Sequence, residues 1–137
     1  DKSFNATMVS DFDDNIDHVN VIPQDIGRVI LNLITNAFYV GDEKKKSGIE
    51  NYEPTVTLKT KKGVKNIEIQ VADNGNGIPE KILNKIFEPF FTTKPTGKGT
   101  GLGLSMSYDI VTNGHGGDLK AETKHGLGTT FTITLPK

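Results

Sequence analysis

The alternating glycines before a predicted helix are the part of the sequence whose composition most directly suggests chemistry. They add no side chains to a core and cost backbone entropy, so they suit a backbone that moves or approaches a ligand closely. Lys94 and Lys98 lie in the same stretch, and the N–H groups at the helix start attract anions. The stretch is therefore predicted to bind an anion, whereas a flexible connector would explain the glycines but not the helix start that follows them. The alternating glycines are Gly97, Gly99, Gly101 and Gly103.

A second candidate is the pair Asn32 and Asn36, which lie four residues apart and so share one face of a predicted helix. The amide oxygen of Asn is a hard, neutral ligand that can join Mg²⁺ when phosphate oxygens and water complete the shell. Taken by themselves, the two residues are more simply explained as surface or capping amides. The metal hypothesis therefore depends on what lies near them.

A third candidate is the segment from Asp73 to Ile78, Asp-Asn-Gly-Asn-Gly-Ile, which directly follows a predicted strand. The Asp73 carboxylate can accept a hydrogen bond from an exocyclic amine, and Gly75 and Gly77 allow the backbone to lie against a flat ring. An ordinary Asp-Asn-Gly turn at a strand end explains the same residues. Both interpretations stay open at this point.

Several common catalytic motifs are absent from the sequence. It contains no Walker A motif and no GxGxxG dinucleotide motif. Ser105 and Ser107 follow the glycine stretch, but no GxSxG elbow supports a nucleophile there. His18, His115 and His125 fall in or near predicted turns without a partner at metal-ligand spacing, so surface or turn roles are expected for them.

Composition limits the class of protein. The 137 residues are enough for one domain, and 34% hydrophobic with 24% charged residues is typical of a soluble globular chain. A net charge of −1 argues against nucleic acid as the main partner. The absence of cysteine excludes disulfides and thiolate sites. No apolar run approaches the roughly 20 residues that span a bilayer.

Periodicity predicts strands and helices in the order β-β-α-β-β-α-loop-α-β-β. Apolar residues at helical spacing predict a long helix from Gln24 to about Lys44, and the charged run Asp42–Lys46 is expected to be its solvated end. Paired strands with helices between them predict an α/β two-layer sandwich, with the helices on one face of a mixed sheet. The predicted strands cover residues 4–12, 18–22, 55–60, 66–72, 118–123 and 129–135, and the other helices cover 79–85 and 102–113.

Together these segments resemble the ATP-binding catalytic domain of sensor histidine kinases, whose fold is shared with gyrase, mismatch-repair and heat-shock chaperone ATPases. Any one motif is weak evidence, but five in the right order, within the stretch from about Gln24 to the C-terminus, are very specific. They resemble the asparagine box (Asn32–Ala37), the first glycine box (Asp73–Gly77), the phenylalanine box (Phe87–Phe91), the second glycine box (Gly99–Leu104) and the final glycine-threonine element (Gly126–Phe131).

The resemblance implies a Bergerat-type fold, with a mainly antiparallel sheet, about three helices on one face and a glycine-rich ATP lid from Phe87 to Thr100. It implies that Asn36 binds Mg²⁺ beside Asn32 and that Asp73 accepts the adenine amino group. Asn32, Asn36 and Lys98 are the expected catalytic residues. The expected nucleotide contacts are Asn36, Tyr39, Asp73, Gly75, Gly77, Ile78, Phe87, Lys94, Lys98, Gly99, Thr100, Gly101, Leu102, Gly103, Leu104 and, through water, Thr129.

Two residues depart from the patterns of related families. Tyr39 stands where many members carry a basic residue, so one phosphate contact is in doubt or is taken over by Lys94 and Lys98. Asn32 stands where gyrase-type relatives have a glutamate that activates water, and an amide cannot act as a general base. This difference argues against plain ATP hydrolysis and for phosphoryl transfer to an acceptor.

The resemblance implies that residues 1–137 form a catalytic domain lacking the dimerisation domain that carries the phosphoacceptor histidine. A response regulator would act downstream. The domain would be cytoplasmic and would contact neither nucleic acid nor membrane, although its parent protein could be membrane-anchored. Alone it would bind Mg·ATP without autophosphorylation. Two other hypotheses remain: an anti-sigma-factor type switch that phosphorylates a serine, which the phenylalanine box and long lid disfavour, and a nucleotide-binding module without transfer activity, hinted at only by Tyr39.

Overall fold

The computed structural model describes residues 7–11, 23–48, 51–88 and 103–136. Their helices and strands follow the predicted order. The elements are β1 (Thr7–Asp11), α1 (Pro23–Lys46), β2 (Thr55–Lys62), β3 (Asn66–Asp73), α2 (Glu80–Leu83), α3 (Gly103–Thr112), β4 (Asp118–Lys124) and β5 (Gly128–Pro136).

The five strands form one sheet in the order β1-β2-β3-β5-β4. β1 pairs with β2 in parallel, and the other three pairings are antiparallel. The pairs β2–β3 and β4–β5 are hairpins, as the alternating patterns on either side of short turns predicted. The sheet is therefore mixed and mainly antiparallel, as expected.

One face of the sheet is covered by helices. Alternate residues of the central strands point to this face and are buried, because side chains alternate along a strand. Each large apolar side chain buried there contributes roughly 1.5–3 kcal/mol to folding. The core consists of Ile67, Ile69 and Val71 on β3, Phe131, Ile133 and Leu135 on β5, Ile26, Val29, Leu33 and Ala37 on α1, and Val111 on α3, among others.

The other face of the sheet is polar. One row of polar residues runs across it through four neighbouring strands, from Lys59 on β2 through Gln70 on β3 and Thr132 on β5 to Lys120 on β4. Helices on one face and polar side chains on the other make a two-layer α/β sandwich, which confirms the predicted fold class.

Helix α1 begins at Pro23, whose fixed φ and missing N–H suit a first helical position. It ends after three lysines, whose charges oppose the negative end of the helix dipole, and Gly48 follows with a φ of 84°. The helix runs two residues beyond the predicted end at Lys44. The expectation that its whole charged run is solvated is wrong, because Lys44 is only 9% exposed.

Other boundaries differ by a few residues. The helix predicted over residues 79–85 is helical only at Glu80–Leu83 and continues as turns. Of the strand predicted over residues 4–12, the structure describes β1 at Thr7–Asp11. The strand predicted at residues 18–22 lies outside the described residues, as do residues 89–102 of the glycine-rich stretch. Within the described part of the chain, no helix combines the length and apolarity needed to cross a membrane.

Candidate functional site

Asp73 lies at the end of β3, where it pairs in register with Thr129 of β5. It has the same strand parity as the buried Ile69 and Val71, so its side chain points toward the helical layer. Its Oδ1 accepts hydrogen bonds from the N–H of Gly75 at 2.9 Å and from the N–H of Thr129 at 3.3 Å. Both of these bonds involve the same oxygen, so Oδ2 is the atom positioned for another donor.

Burial raises the pKa of the Asp73 carboxyl above its usual value. The N–H groups of Gly75 and Thr129 and the positive charge of Lys44 act in the opposite direction, and they offset part of the increase. An acceptor that is partly desolvated and held by main-chain donors is suited to recognising one specific donor on a ligand.

The loop after β3 needs glycine for two different reasons. Gly77 has a φ of 84°, and a Cβ there would lie 2.7 Å from the carbonyl oxygen of Lys124. Gly75 is buried, and a Cβ there would lie 3.0 Å from Asp73 Oδ1 and 3.1 Å from Val40 Cγ2. The two glycines therefore let the loop pack tightly between the end of α1 and the β4–β5 turn.

Thr123 joins this loop to β5. Its Oγ1 accepts a hydrogen bond from the Ile78 N–H at 2.7 Å and lies 3.2 Å from the Thr129 Oγ1. Thr129 is 5% exposed, so its hydroxyl is fixed among these partners. The predicted residues Asp73, Gly75, Gly77, Ile78 and Thr129 are thus brought together at one end of the sheet.

The two asparagines of α1 differ in their surroundings. Asn32 donates a hydrogen bond through Nδ2 to Ser107 Oγ on α3, at 3.1 Å, and Ser107 is 2% exposed. This bond fixes the Asn32 amide, leaving its oxygen as the atom available to a ligand. Asn36 is half-buried one turn later on the same helix.

The donor set is compatible with Mg²⁺ only if other molecules supply most ligands. Among the residues that the structure describes, no group of three or more His, Asp or Glu side chains is placed to hold a metal. Mg²⁺ is commonly held by one or two protein oxygens together with phosphates and waters. One amide oxygen from Asn36 fits that arrangement.

The remaining predicted residues fall into three groups. Tyr39 is half-buried, and burial followed by the Glu43 charge raises the pKa of its phenol, so it offers a neutral hydroxyl in place of a basic group. Gly103 starts α3, and the half-buried Leu104 packs on the core. The residues outside the described part of the chain are Lys94, Lys98, Gly99, Thr100, Gly101 and Leu102.

Phe87, the first residue of the predicted lid, packs against the core. Its ring makes edge contacts with Tyr108 of α3, at 5.1 Å between centroids, and with Phe131 of β5, at 6.4 Å. Such aromatic pairs add about 0.5–1.5 kcal/mol beyond their buried area. These contacts join Phe87 to both α3 and β5.

Four residues have structural roles that sequence reasoning did not assign to them: Lys44, Asn74, Ser107 and Thr123. Asn74 fixes the loop that leads into β2, because its Oδ1 accepts hydrogen bonds from the Thr55 N–H at 2.8 Å and the Tyr52 hydroxyl at 3.1 Å. A signal for Lys44 was present. It follows Ala37 and Gly41 by seven and three residues, so it continues the buried stripe of α1, whereas Lys45 and Lys46 do not.

The chain is similar to known proteins along most of its length. Residues 22–137 match the family described as histidine kinase-, DNA gyrase B- and HSP90-like ATPases. The structure is similar to the nucleotide-free catalytic domain of the histidine kinase ThkA, with a TM-score of 0.81 and 29% identity, covering 99% of this chain and 83% of that one.

Two curated relatives are similar along most of the chain. The signal transduction histidine-protein kinase AtoS of Escherichia coli is 34% identical over 129 residues, 94% of this chain and 19% of that protein. Sporulation kinase A of Bacillus subtilis is 38% identical over 120 residues, 88% of this chain and 18% of that protein. The chain therefore spans less than a fifth of the length of either relative.

Proposed function

The chain belongs to the family of histidine kinase-, DNA gyrase B- and HSP90-like ATPases, and on that premise we propose that it binds Mg·ATP for phosphoryl transfer. It matches the catalytic ATP-binding domain of histidine kinases. The acceptor would be a histidine on a separate dimerisation domain, and a response regulator would take the phosphoryl group afterwards. The domain would act in the cytoplasm, whether or not its parent is anchored in a membrane.

The observation that carries the adenine end of this proposal is the geometry around Asp73. Its Oδ1 is held by two main-chain N–H groups, and its raised pKa reflects a partly desolvated site. An exocyclic amine would donate to Oδ2. The flat ring would lie against the loop, whose close packing depends on Gly75 and Gly77, with Ile78 and Thr129 beside it.

The phosphates would extend from this end toward α1 and the start of α3. Asn36 would contribute an oxygen to Mg²⁺, and the ion would neutralise phosphate charge when bound. The N–H groups of the segment from Gly101 to Leu104, which leads into α3, and the ammonium groups of Lys94 and Lys98 would bind phosphate oxygens. Asn32, held by Ser107, would lie beside them with its amide oxygen fixed.

The transfer itself needs positioning more than acid–base chemistry from this chain. An imidazole nitrogen of the acceptor would attack the γ-phosphorus, forming a P–N bond while the bond to the ADP oxygen breaks. The imidazole proton would pass to an acidic group next to the acceptor. Fixing the γ-phosphate and stabilising its charge are then the contributions of the ATP-binding domain. Asn32 cannot activate water as a base, which favours transfer over hydrolysis.

The test is a transfer assay with the acceptor supplied separately. The chain is mixed with a histidine-bearing dimerisation domain and γ-labelled ATP with Mg²⁺, and the acceptor is examined for acid-labile phosphate. We expect labelling that requires both proteins and falls strongly in Asp73→Asn at an ATP concentration near the wild-type Kd. Asp109→Asn, which changes an exposed carboxylate on α3, should behave as wild type. Label that is acid-stable on serine, or ATP binding without any transfer, would reject the histidine kinase assignment.

A further inference from the structure

Lys44 is a buried cation that neither the family motifs nor the proposed chemistry uses. Its ammonium donates hydrogen bonds to the main-chain carbonyls of Gly126 at 2.9 Å, Asn74 at 3.2 Å and Gly75 at 3.3 Å. The same nitrogen lies 4.8 Å from the centre of the Tyr52 ring. The side chain thus has three acceptors for its three N–H groups and an aromatic face beside them.

Burying an ammonium group is costly unless its hydrogen bonds are satisfied. Here the compensation comes from main-chain carbonyl dipoles, whereas Lys46, nearby on α1, is paired with Asp42 on the surface. No carboxylate among the described residues accepts a hydrogen bond from Lys44, although its charge and that of Asp73 attract each other. All three of its hydrogen bonds therefore depend on the positions of loop carbonyls. The same bonds, in turn, restrain those carbonyls.

The three carbonyls come from two separate segments that flank Asp73 and Thr129. Asn74 and Gly75 belong to the loop after β3, and Gly126 belongs to the β4–β5 turn. The two segments also contact each other directly, through the Gly126 N–H bound to Asn76 O at 2.7 Å and the Ile78 N–H bound to Thr123 Oγ1. Lys44 reaches both segments from α1, the helix that carries Asn32 and Asn36.

We propose that Lys44 is a positioning residue that clamps the loop after β3 to the β4–β5 turn and so sets the shape of the purine end of the nucleotide site. The inference rests on the proposed function for its ligand, but the clamp itself is a property of the unliganded domain. Lys44 would touch carbonyl oxygens and not the nucleotide. Its loss should therefore weaken purine recognition without changing phosphate binding.

The first experiment measures the clamp without nucleotide. Amide hydrogen exchange is compared in wild type, Lys44→Met and Lys45→Met, which removes the same charge from an exposed position one residue away on α1. In Lys44→Met the Gly126 and Ile78 amides should exchange about tenfold faster, since bonds of a charged donor are lost, while the central β3–β5 amides keep their protection. Equal exchange in the two variants, or uniform acceleration over the whole sheet, would overturn the proposal.

The second experiment measures nucleotide affinity by calorimetry with ATP, ADP and GTP. Lys44→Met should weaken ATP and ADP by the same factor, about tenfold, and reduce the preference for ATP over GTP, whereas Lys45→Met should match wild type. A loss confined to ATP would mean that Lys44 acts on the γ-phosphate, and an unchanged preference would mean that it does not shape the purine end. Either result contradicts the inference.

A third arm uses Lys44→Ala with added propylammonium, which replaces the deleted part of the side chain. Recovery of Gly126 and Ile78 protection on adding the amine, with no recovery from the neutral analogue propanol, supports the clamp, and equal recovery from both contradicts it. If wild type fails to bind ATP, the proposed function is wrong, and the exchange measurements still decide whether Lys44 joins the two segments.

Discussion

The Asp73 carboxylate is suited to binding a ligand, but its burial lowers the stability of the unliganded protein at neutral pH. Burial raises the pKa of its carboxyl, which means that the folded protein binds the carboxyl proton more tightly than the unfolded chain does. The unfolded state therefore ionises first as the pH rises. Folding stability from this group is complete below the ordinary carboxyl pKa of about 3.9 and is lost as the pH rises through the higher folded value.

The variant Asp73→Asn should separate these two effects. An Asn oxygen still accepts the Gly75 and Thr129 N–H bonds, so at pH 7 the variant should be at least as stable as wild type, and the difference should disappear near pH 3. ATP affinity should fall about tenfold to a hundredfold, because the Asn amide places a donor against the exocyclic amine. Urea unfolding between pH 3 and 7 together with calorimetry measures both. Lower stability at pH 7, or unchanged ATP affinity, would contradict this role.

The residues of the site were predictable from sequence to different extents. Asp73, Gly75 and Gly77 could be singled out because a carboxylate and glycines after a strand form a local pattern, whereas Thr129 was expected only from the family resemblance. Lys44 could not be assigned a role in the same way, since its partners are main-chain carbonyls far along the chain that bring no side-chain signal. The bond between Asn32 and Ser107 joins two helices, so spacing along one helix did not indicate it.

At the scale of elements, the β4–β5 hairpin must approach the end of β3 closely. Gly128 has a φ of 141°, and a Cβ there would collide with the carbonyl oxygen of Asp73. The obstacle is backbone and cannot rotate away. Gly116, in the turn after α3, has a φ of 66° but nothing within 4 Å of an added Cβ. Substituting each glycine in turn therefore distinguishes the free-energy cost of an unfavourable φ, at Gly116, from the added cost of a steric conflict, at Gly128.

We expect Gly116→Ala to lower the free energy of unfolding by about 1–2 kcal/mol, the cost of a left-handed conformation. Gly128→Ala should cost at least about 3 kcal/mol, because strain at φ is joined by displacement of the strand end. Gly128→Ala should also weaken ATP binding, while Gly116→Ala should not. Urea denaturation measures the two free energies of unfolding, and calorimetry measures ATP affinity. Equal stability costs for the two substitutions would contradict a steric conflict between residue 128 and the Asp73 carbonyl.

The elements themselves were largely predictable, and the structure confirms the two hairpins, the long helix and the sandwich. Alternation and helical spacing are local signals, so they indicate which segments are strands or helices. They do not indicate how far a helix continues once its outer face becomes charged, which is why α1 exceeds the predicted end at Lys44. They also do not distinguish the short helix α2 from the turns that follow it.

At the scale of the whole molecule, ligand binding should be visible as global stability. A ligand that binds only the folded state, at a concentration of 100 times its Kd, adds about 2.7 kcal/mol. For a domain of this size, that corresponds to a rise of roughly 8 °C in Tm. We expect this rise with Mg·ATP and a much smaller one with Mg·GTP at the same concentration. Asp73→Asn should remove the difference between the two nucleotides, and equal shifts in wild type would contradict adenine recognition.

The parallel pairing of β1 with β2 also has a consequence for the order of folding. The hairpins β2–β3 and β4–β5 close over short turns, whereas β1 can pair only after all of α1 has been placed between the two strands. Contacts between distant parts of a chain form late, because loop closure costs entropy before any contact repays it. β1 should therefore join the sheet after the two hairpins. As an edge strand with a single neighbour, it should also detach first under a force applied at the N-terminus, leaving the strands around Asp73 paired.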